Sequence, residues 1–451
     1  MTASNDSAWP RRLYSAAWWL AVPFALGYLL YRSVRQPAYR RHWGERFGFG
    51  AAPPADSAAA GPTIWIHAVS VGETAAVAPL LWRLAAAYPD ARFLLTHATP
   101  TGRDTGRERF ARLGPRLAQC YLPYDLGAAV ARFFATRRPA LGLIVETEVW
   151  PNLMAAAQAS GVPVASINAR LSERSLARGL RFRRLIVPAV AAFAAIVAQT
   201  ATHAARIARL GRRVDAVAGN LKFDQPVVAA QRAQGEAWRA RFGSRPIVVA
   251  ASTRDGEEEL LLAAWRAARG ALVARPLLIV VPRHPNRFDE VAALLGSAFD
   301  ADGGVFVRRR ALDDPAVDPA AIDCLLGDSM GEMQAWYAAA DVAIIGGSLL
   351  PFGAQNLIEA NALGCPVVLG PSVYNFEDAA AEAIAAGAAQ PVADASAAID
   401  AALAIARDRE RRAVMSAAAL AFTAAHRGAV DRTMAALAPL LLRTLGPPAG
   451  D

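Results

Sequence analysis

Lysine is almost absent: Lys222 is the only one in 451 residues, so arginine carries the formal charge of +9. That excludes a Walker A phosphate loop, whose glycines must be followed by lysine. Cysteine is scarce too. Cys120, Cys324 and Cys365 are scattered, odd in number and set in apolar or glycine-rich sequence, which excludes a disulfide framework and zinc-ligand spacing. Aspartates with metal-ligand spacing are also missing, so no metal and no other cofactor is expected. Nor does any nucleic-acid module accompany the basic balance, and the expected partners are anionic lipid or a phosphorylated substrate rather than nucleic acid.

Apolar residues, by contrast, make up 54% of the chain, and part of that excess is local. Residues 13–31 carry no charge and nearly reach the about 20 residues that a helix needs to cross a bilayer. Arg11 and Arg12 precede this segment, while Arg32, Arg35, Arg40, Arg41 and Arg46 follow it. The heavier basic flank belongs inside, so a single uncleaved anchor in the inner (plasma) membrane is expected, with the body on the cytoplasmic side. An interfacial helix and a cleaved signal peptide are the alternatives. A Pro/Gly-rich linker follows at residues 48–61, so the anchor is expected to be a tether that takes no part in what the body of the chain does.

The length calls for two domains of roughly 150 to 200 residues. Expected strands at 64–69, 92–97, 120–122, 140–145, 162–167 and 196–198 form one set; those at 246–251, 277–281, 304–307, 324–326, 341–345 and 366–369 form another. Amphipathic helices lie between them, which predicts two doubly wound parallel α/β sheets. The expected bounds are 1–50 for the anchor and basic flank, 51–225 and 241–425 for the two Rossmann-like domains, 226–240 for a linker and 426–451 for a helical tail. Ligands in such sheets bind beyond the carboxyl ends of strands, so residues there are the functional candidates.

Residues 341–361 are the most organised of these stretches. A short β-branched strand breaks on Gly346 and Gly347, passes Ser348, and runs into a helix opened by Asn356 with Glu359 three residues on. Glycines that admit a close ligand, followed by a capped helix start, read as a phosphate cradle. An ordinary βα unit with a capped helix has the same pattern. In the first half, Ser70, Gly72 and Glu73 follow one strand, and Glu146 and Glu148 follow another beside Trp150. Glu73 suits a general base, or simply a first-turn acid that complements the helix dipole. In the second half Arg254, Arg283 with His284, and residues 327–332 follow strands.

Six ordered blocks resemble the 3-deoxy-D-manno-octulosonic acid (Kdo) transferases of lipopolysaccharide biosynthesis: HAVSVGE (67–73), ETEVWPN (146–152), GNLKFD (219–224), VPRHPNRF (281–288), GDSMGEM (327–333) and GGSLLPFGAQNLIEA (346–360). The likeness runs from the anchor onward. It implies a GT-B fold, with an acceptor domain and a CMP-sugar donor domain facing across a cleft behind an N-terminal anchor helix. It also implies inverting transfer of Kdo from CMP-Kdo to a lipid A precursor, lipid IVA, without a metal. Glu359 would bind the ribose hydroxyls, and the loop with Met330, Gly331 and Glu332 the cytosine. Gln355, Arg254 and Ser372 stand where the family usually has histidine, departures that bear on donor contacts.

The chemistry of the residues agrees. Glycosyl transfer needs a base for the acceptor hydroxyl and a cationic or dipolar site for the departing phosphate. Glu73 is the expected base, with Ser70, Gly72, Glu146, Glu148 and Lys222 on the acceptor side. Gly346, Gly347, Ser348 and Asn356, with Arg254 and Arg283, are expected around the donor. A GT-B transferase or epimerase using a UDP-sugar, and a non-catalytic two-lobed ligand-binding protein, remain as alternatives.

Overall fold

The structure is a computed structural model that describes residues 8–50, 61–146, 148–269 and 275–449. It divides into two compact units, one of residues 1–225 with 428–451 and the other of residues 226–427.

The first unit is built on a seven-stranded parallel sheet: β1 Thr63–His67, β2 Arg92–His97, β3 Leu117–Tyr121, β4 Leu141–Val145, β5 Val164–Ala169, β6 Ala195–Ala198 and β7 Ala216–Val217. Its order is β3-β2-β1-β4-β5-β6-β7, so the winding reverses between β1 and β4. Ile64 pairs with Phe93 on one side and Leu141 on the other, and both strands are buried because helices cover both faces. One face packs Ile66, Leu80 and Leu143; the other packs Trp65 edge-on against Phe133 and Phe134.

The second unit repeats the plan with β8 Ile247–Thr253, β9 Leu277–Pro282, β10 Phe306–Arg308, β11 Cys324–Leu326, β12 Val342–Ile345, β13 Val367–Leu369 and β14 Ala389–Pro391. The order is β10-β11-β9-β8-β12-β13-β14, which reverses between β8 and β12. Every expected strand is present. The two additional strands, β7 and β14, are short sheet edges without an apolar run.

Residues 226–240, expected as a linker, lie mostly in the Ala229–Phe242 helix of the second unit. Gly235 lets this helix approach so closely that a Cβ there would sit 2.2 Å from the Ala335 carbonyl, and Trp238 stacks on Trp336 at 4.2 Å. The expected tail, residues 426–451, falls almost wholly in the first unit. The Arg409–His426 helix belongs to the second unit, and the Ala429–Leu445 helix packs Leu437, Leu440 and Leu441 into the core of the first. Gly428, at φ 88°, marks the break, and the Asp224 carboxylate accepts the N–H groups of Gly428 and Val430 at 2.7 and 2.6 Å.

The N-terminal helix runs Ala8–Arg35, and its Trp9–Val34 stretch is long and apolar enough to cross a membrane. Leu20 and Phe24 are 75% and 80% exposed. Residues 409–445 pass the same test of length and composition, but Met415 joins the second core and Val430, Leu437, Leu440 and Leu441 the first. The N-terminal helix also packs on the first unit. Trp18 stacks on Tyr124 with centroids 5.7 Å apart and lies 6.4 Å from Trp150, and the Asn152 amide donates to Ser15 at 2.9 Å. The basic flank beyond it is also part of the first unit: the Glu45 carboxylate accepts from Arg103 at 2.7 Å and from the Tyr121 N–H at 2.9 Å, and the Arg46 guanidinium lies 4.1 Å from the Tyr121 ring centroid. Most of the expected linker, residues 51–60, lies outside the described residues.

Deleting residues 1–32 is therefore expected to lower the melting temperature of the detergent-solubilised protein, since aromatic contacts of this kind contribute about 0.5–1.5 kcal/mol each. An unchanged melting temperature would restore the tether-only reading.

Candidate active site

In the first unit, β1 ends at His67 and the chain turns through Ala68 and Val69 to Ser70, the N-cap of the Val71–Ala87 helix. The Ser70 hydroxyl accepts the Glu73 N–H at 3.5 Å, and the Glu73 carboxylate accepts the Val69 N–H at 2.6 Å, a reciprocal capping pair. The structural role expected of Glu73 is thus present. Its environment adds a second property. Burial pushes the Glu73 carboxyl up to about 8, and the neighbouring charges of Glu146 and Glu148 add to this against the Val69 N–H and Lys222. Gly72 is exposed, and a Cβ there would meet nothing nearer than the Ser70 hydroxyl at 3.9 Å, so the turn is open to a ligand.

Glu146 follows β4 in a left-handed conformation, φ 62°, which a non-glycine residue adopts only when its surroundings enforce it. The enforcement is visible: its carboxylate accepts from Arg170 Nε at 2.9 Å and from Lys222 Nζ at 3.0 Å, and it is buried. Burial alone would raise this carboxyl, but Lys222 and Arg170 outweigh it and hold Glu146 below the ordinary value. Asn168 accepts the Leu221 N–H and Asn220 accepts the Lys222 N–H, both at 3.0 Å, which fixes the Leu221–Asp224 turn that carries the lysine. Glu148 accepts from the Trp150 indole at 2.6 Å, and burial raises its carboxyl. Three carboxylates and two cations therefore gather beyond the ends of β1, β4 and β5, beside the reversal of winding. Arg170 was missed in the sequence because arginine is so common there; its position directly after a strand was the usable signal.

In the second unit the glycine turn differs from the phosphate cradle expected. A Cβ at Gly346 would sit 2.3 Å from the Ser252 carbonyl, so the close approach that requires this glycine is made by the chain itself. The N–H groups of Gly347, Leu349 and Leu350 donate to the buried Glu257 carboxylate at 2.6, 3.0 and 3.4 Å. The anion in this turn is Glu257. Ser348 is buried, donates to the Ile345 carbonyl and accepts the Gly370 N–H at 2.9 Å, tying β12 to β13. Gly346, Gly347 and Ser348 thus shape the turn. The helix beyond starts at Ile358 rather than Asn356 and is five residues long; Asn356 accepts the Ile358 N–H at 3.2 Å and Glu359 lies in the first turn.

Positive charge comes from two arginines instead. The Arg254 guanidinium, after β8, lies 4.5 Å from the Phe352 ring centroid, and Arg283, after β9, donates from Nε to Gln355 at 3.1 Å. Burial lowers the Arg283 pKa, the like charge of Arg254 lowers it further, and Glu359 opposes both. An amide and a ring hold these two, whereas Arg308 and Arg309 meet carboxylates. Glu332 takes both ends of Arg309 at 3.0 Å, with Gln234 at 3.1 Å, while Met330 and Gly331 beside it are exposed. Ser372 accepts the Gly353 N–H at 2.9 Å. His284 is exposed. Among the described residues no group of three His, Cys, Asp or Glu side chains is placed to hold a metal ion.

A family model described as 3-Deoxy-D-manno-octulosonic-acid transferase (kdotransferase) matches residues 41–225. The 3-deoxy-D-manno-octulosonic acid transferase of Bordetella pertussis is 47% identical over 397 residues, 87% of this chain and 90% of its own. That of Haemophilus influenzae is 32% identical over 442 residues, 96% of this chain and the whole of its own. Among solved structures, a putative UDP-N-acetylglucosamine 2-epimerase from Listeria monocytogenes covers 86% of this chain at a TM-score of 0.56, with 98% of its own chain matched. At 14% identity that likeness is one of fold.

Proposed function

This chain belongs to the 3-deoxy-D-manno-octulosonic acid (Kdo) transferases, and we propose that it moves Kdo from CMP-Kdo to a phosphorylated glycolipid, lipid IVA or a similar lipid A precursor, at the cytoplasmic side of the inner membrane. The observation that carries this reading is the 47% identity with the Bordetella pertussis transferase along nearly the full length of both chains.

The acceptor hydroxyl oxygen attacks the anomeric carbon of Kdo while the bond from that carbon to the phosphate oxygen breaks. Configuration inverts, and CMP leaves with the electron pair. Glu73 takes the hydroxyl proton. A carboxylate with an ordinary pKa is a poor acceptor for it, and a value of about 8 makes the ionised Glu73 a far stronger base. Glu146, kept ionised by Lys222 and Arg170, sustains that value through its charge. Ser70, Gly72 and Glu148 border the acceptor sugar.

On the donor side, Arg254 and Arg283 hold the phosphate or the Kdo carboxylate, Glu359 the ribose, and the loop of Met330, Gly331 and Glu332 the cytosine. Two guanidiniums supply the charge that the departing phosphate requires, so no metal or other cofactor is invoked.

CMP is expected to inhibit markedly more strongly than UMP or UDP, and Arg283→Gln to raise the donor KM about 10- to 100-fold, since hydrogen bonds to charged groups contribute about 1.5–3 kcal/mol. Equal inhibition by the three nucleotides would favour a UDP-sugar donor instead.

A further inference from the structure

One arginine cluster serves neither site. In the Glu173–Arg181 helix of the first unit, Leu176 and Gly179 face inward, and a Cβ at Gly179 would meet Leu210 at 3.1 Å. Arg174, Arg178 and Arg181, spaced four and three residues apart, form a stripe on the opposite face. The helix then breaks at Phe182, which is 52% exposed, and Arg183 and Arg184 open the next helix, Arg183–Ala191. All five arginines are exposed, and among the described residues none of them pairs with a carboxylate; Glu173, the acid next to them, is taken by Arg206 at 2.8 Å. Leu180 and Phe182 stand exposed between the charges.

Five cations without a carboxylate partner among the described residues, interleaved with apolar side chains and with the Arg181 guanidinium 5.7 Å from the Phe182 ring centroid, suit a surface that offers many anions at the edge of an apolar phase. The Arg183–Ala191 helix also packs against the N-terminal helix, whose outer side chains are exposed and apolar. Residues 174–184 therefore lead directly into the helix that packs on the exposed apolar N-terminal helix.

We propose that this arginine-rich corner, residues 174–184, is a second membrane contact of the first unit, docking on anionic phospholipid headgroups with Phe182 and Leu180 entering the interface. The proposal rests on the reading of the N-terminal helix as a membrane anchor. It gives that helix a partner that fixes how the first unit lies against the bilayer, and each arginine contributes about fivefold to the contact.

The test uses the full chain, whose three native cysteines are buried, so that a single added thiol takes an environment-sensitive fluorophore. One probe is placed at Phe182→Cys, the other at Leu20→Cys on the exposed side of the N-terminal helix. Vesicles of phosphatidylcholine with phosphatidylglycerol are expected to shift both emissions to the blue. For the Phe182 probe alone, the shift should be lost on pure phosphatidylcholine, at high salt, and when the five arginines are replaced by glutamine. A blue shift at Leu20 with none at Phe182 would overturn the corner's role and leave the anchor standing. No shift at either position would overturn both. A Phe182 shift of the same size on neutral vesicles would also contradict the proposal, because the contact would not then depend on charge.

Discussion

Glu73→Gln is expected to lower turnover by roughly 10² to 10⁴ while leaving the fold at least as stable at neutral pH. The two halves of that outcome have separate causes. Glutamine keeps a side-chain oxygen that accepts the Val69 N–H, so the capping pair with Ser70 survives. It cannot take a proton from the acceptor. The stability follows from linkage. With its pKa raised from 4.5 to about 8 in the folded chain, Glu73 holds a proton there that the unfolded chain releases above 4.5. Folding is therefore least hindered by Glu73 below pH 4.5, loses stability as pH rises through this window, and levels off above about 8. At pH 7 the cost is on the order of 3 kcal/mol, from about 2.5 pH units above the unfolded value at about 1.4 kcal/mol per unit, and glutamine escapes it. A residue that served only as a cap would keep a near wild-type rate in this variant, because the cap survives the substitution. In that case Glu148, whose carboxyl is also raised by burial, becomes the next candidate. For the wild-type enzyme the same property places the acid limb of kcat/KM near pH 8, with activity rising as Glu73 ionises.

Lys222→Met carries the second large effect. It leaves Glu146 with Arg170 as its one remaining cation among the described residues, and the loss of stability is expected to stay below the about 3–5 kcal/mol of stripping a buried charge of all compensation. Because Lys222 also lowers the Glu73 pKa, its loss should move the acid limb of the rate profile to higher pH. A variant with wild-type stability and an unmoved limb would show that the lysine supports neither carboxylate. Only stability and the pH limb together identify it as the residue that positions and balances the acceptor-side cluster.

Much of this was legible in the sequence because buried parallel strands are continuous apolar runs, and the residues that follow them had to be the ones at the sheet's carboxyl edge. Glu73, Glu146 and Glu148 were singled out that way, and Lys222 as the only lysine in the chain. The glycine turn shows where such reading stops. Gly346 and Gly347 look the same whether a phosphate or Glu257 fills the N–H groups, since the competing carboxylate lies 90 residues away from Gly347 in the chain. Long-range partners also hid Arg170, which completes the Glu146 pair from the next strand. The Ala229–Phe242 helix was obscured for another reason: its buried face rests on Gly235, Trp238 and Phe242 among charged residues, too sparse an apolar pattern to stand out. Trp18 looked like any apolar anchor residue until Tyr124 and Trp150 appeared beneath it.

The central claim is tested most directly by incubating the purified chain with lipid IVA and CMP-Kdo, following the mass of the lipid and the release of CMP together. Wild-type protein is predicted to add Kdo to the lipid with CMP released in step, and Glu73→Gln to do neither on the same timescale. Product formed equally by both proteins would contradict the role of Glu73. A lipid of unchanged mass with no CMP released by the wild-type chain would contradict the assignment of the reaction itself.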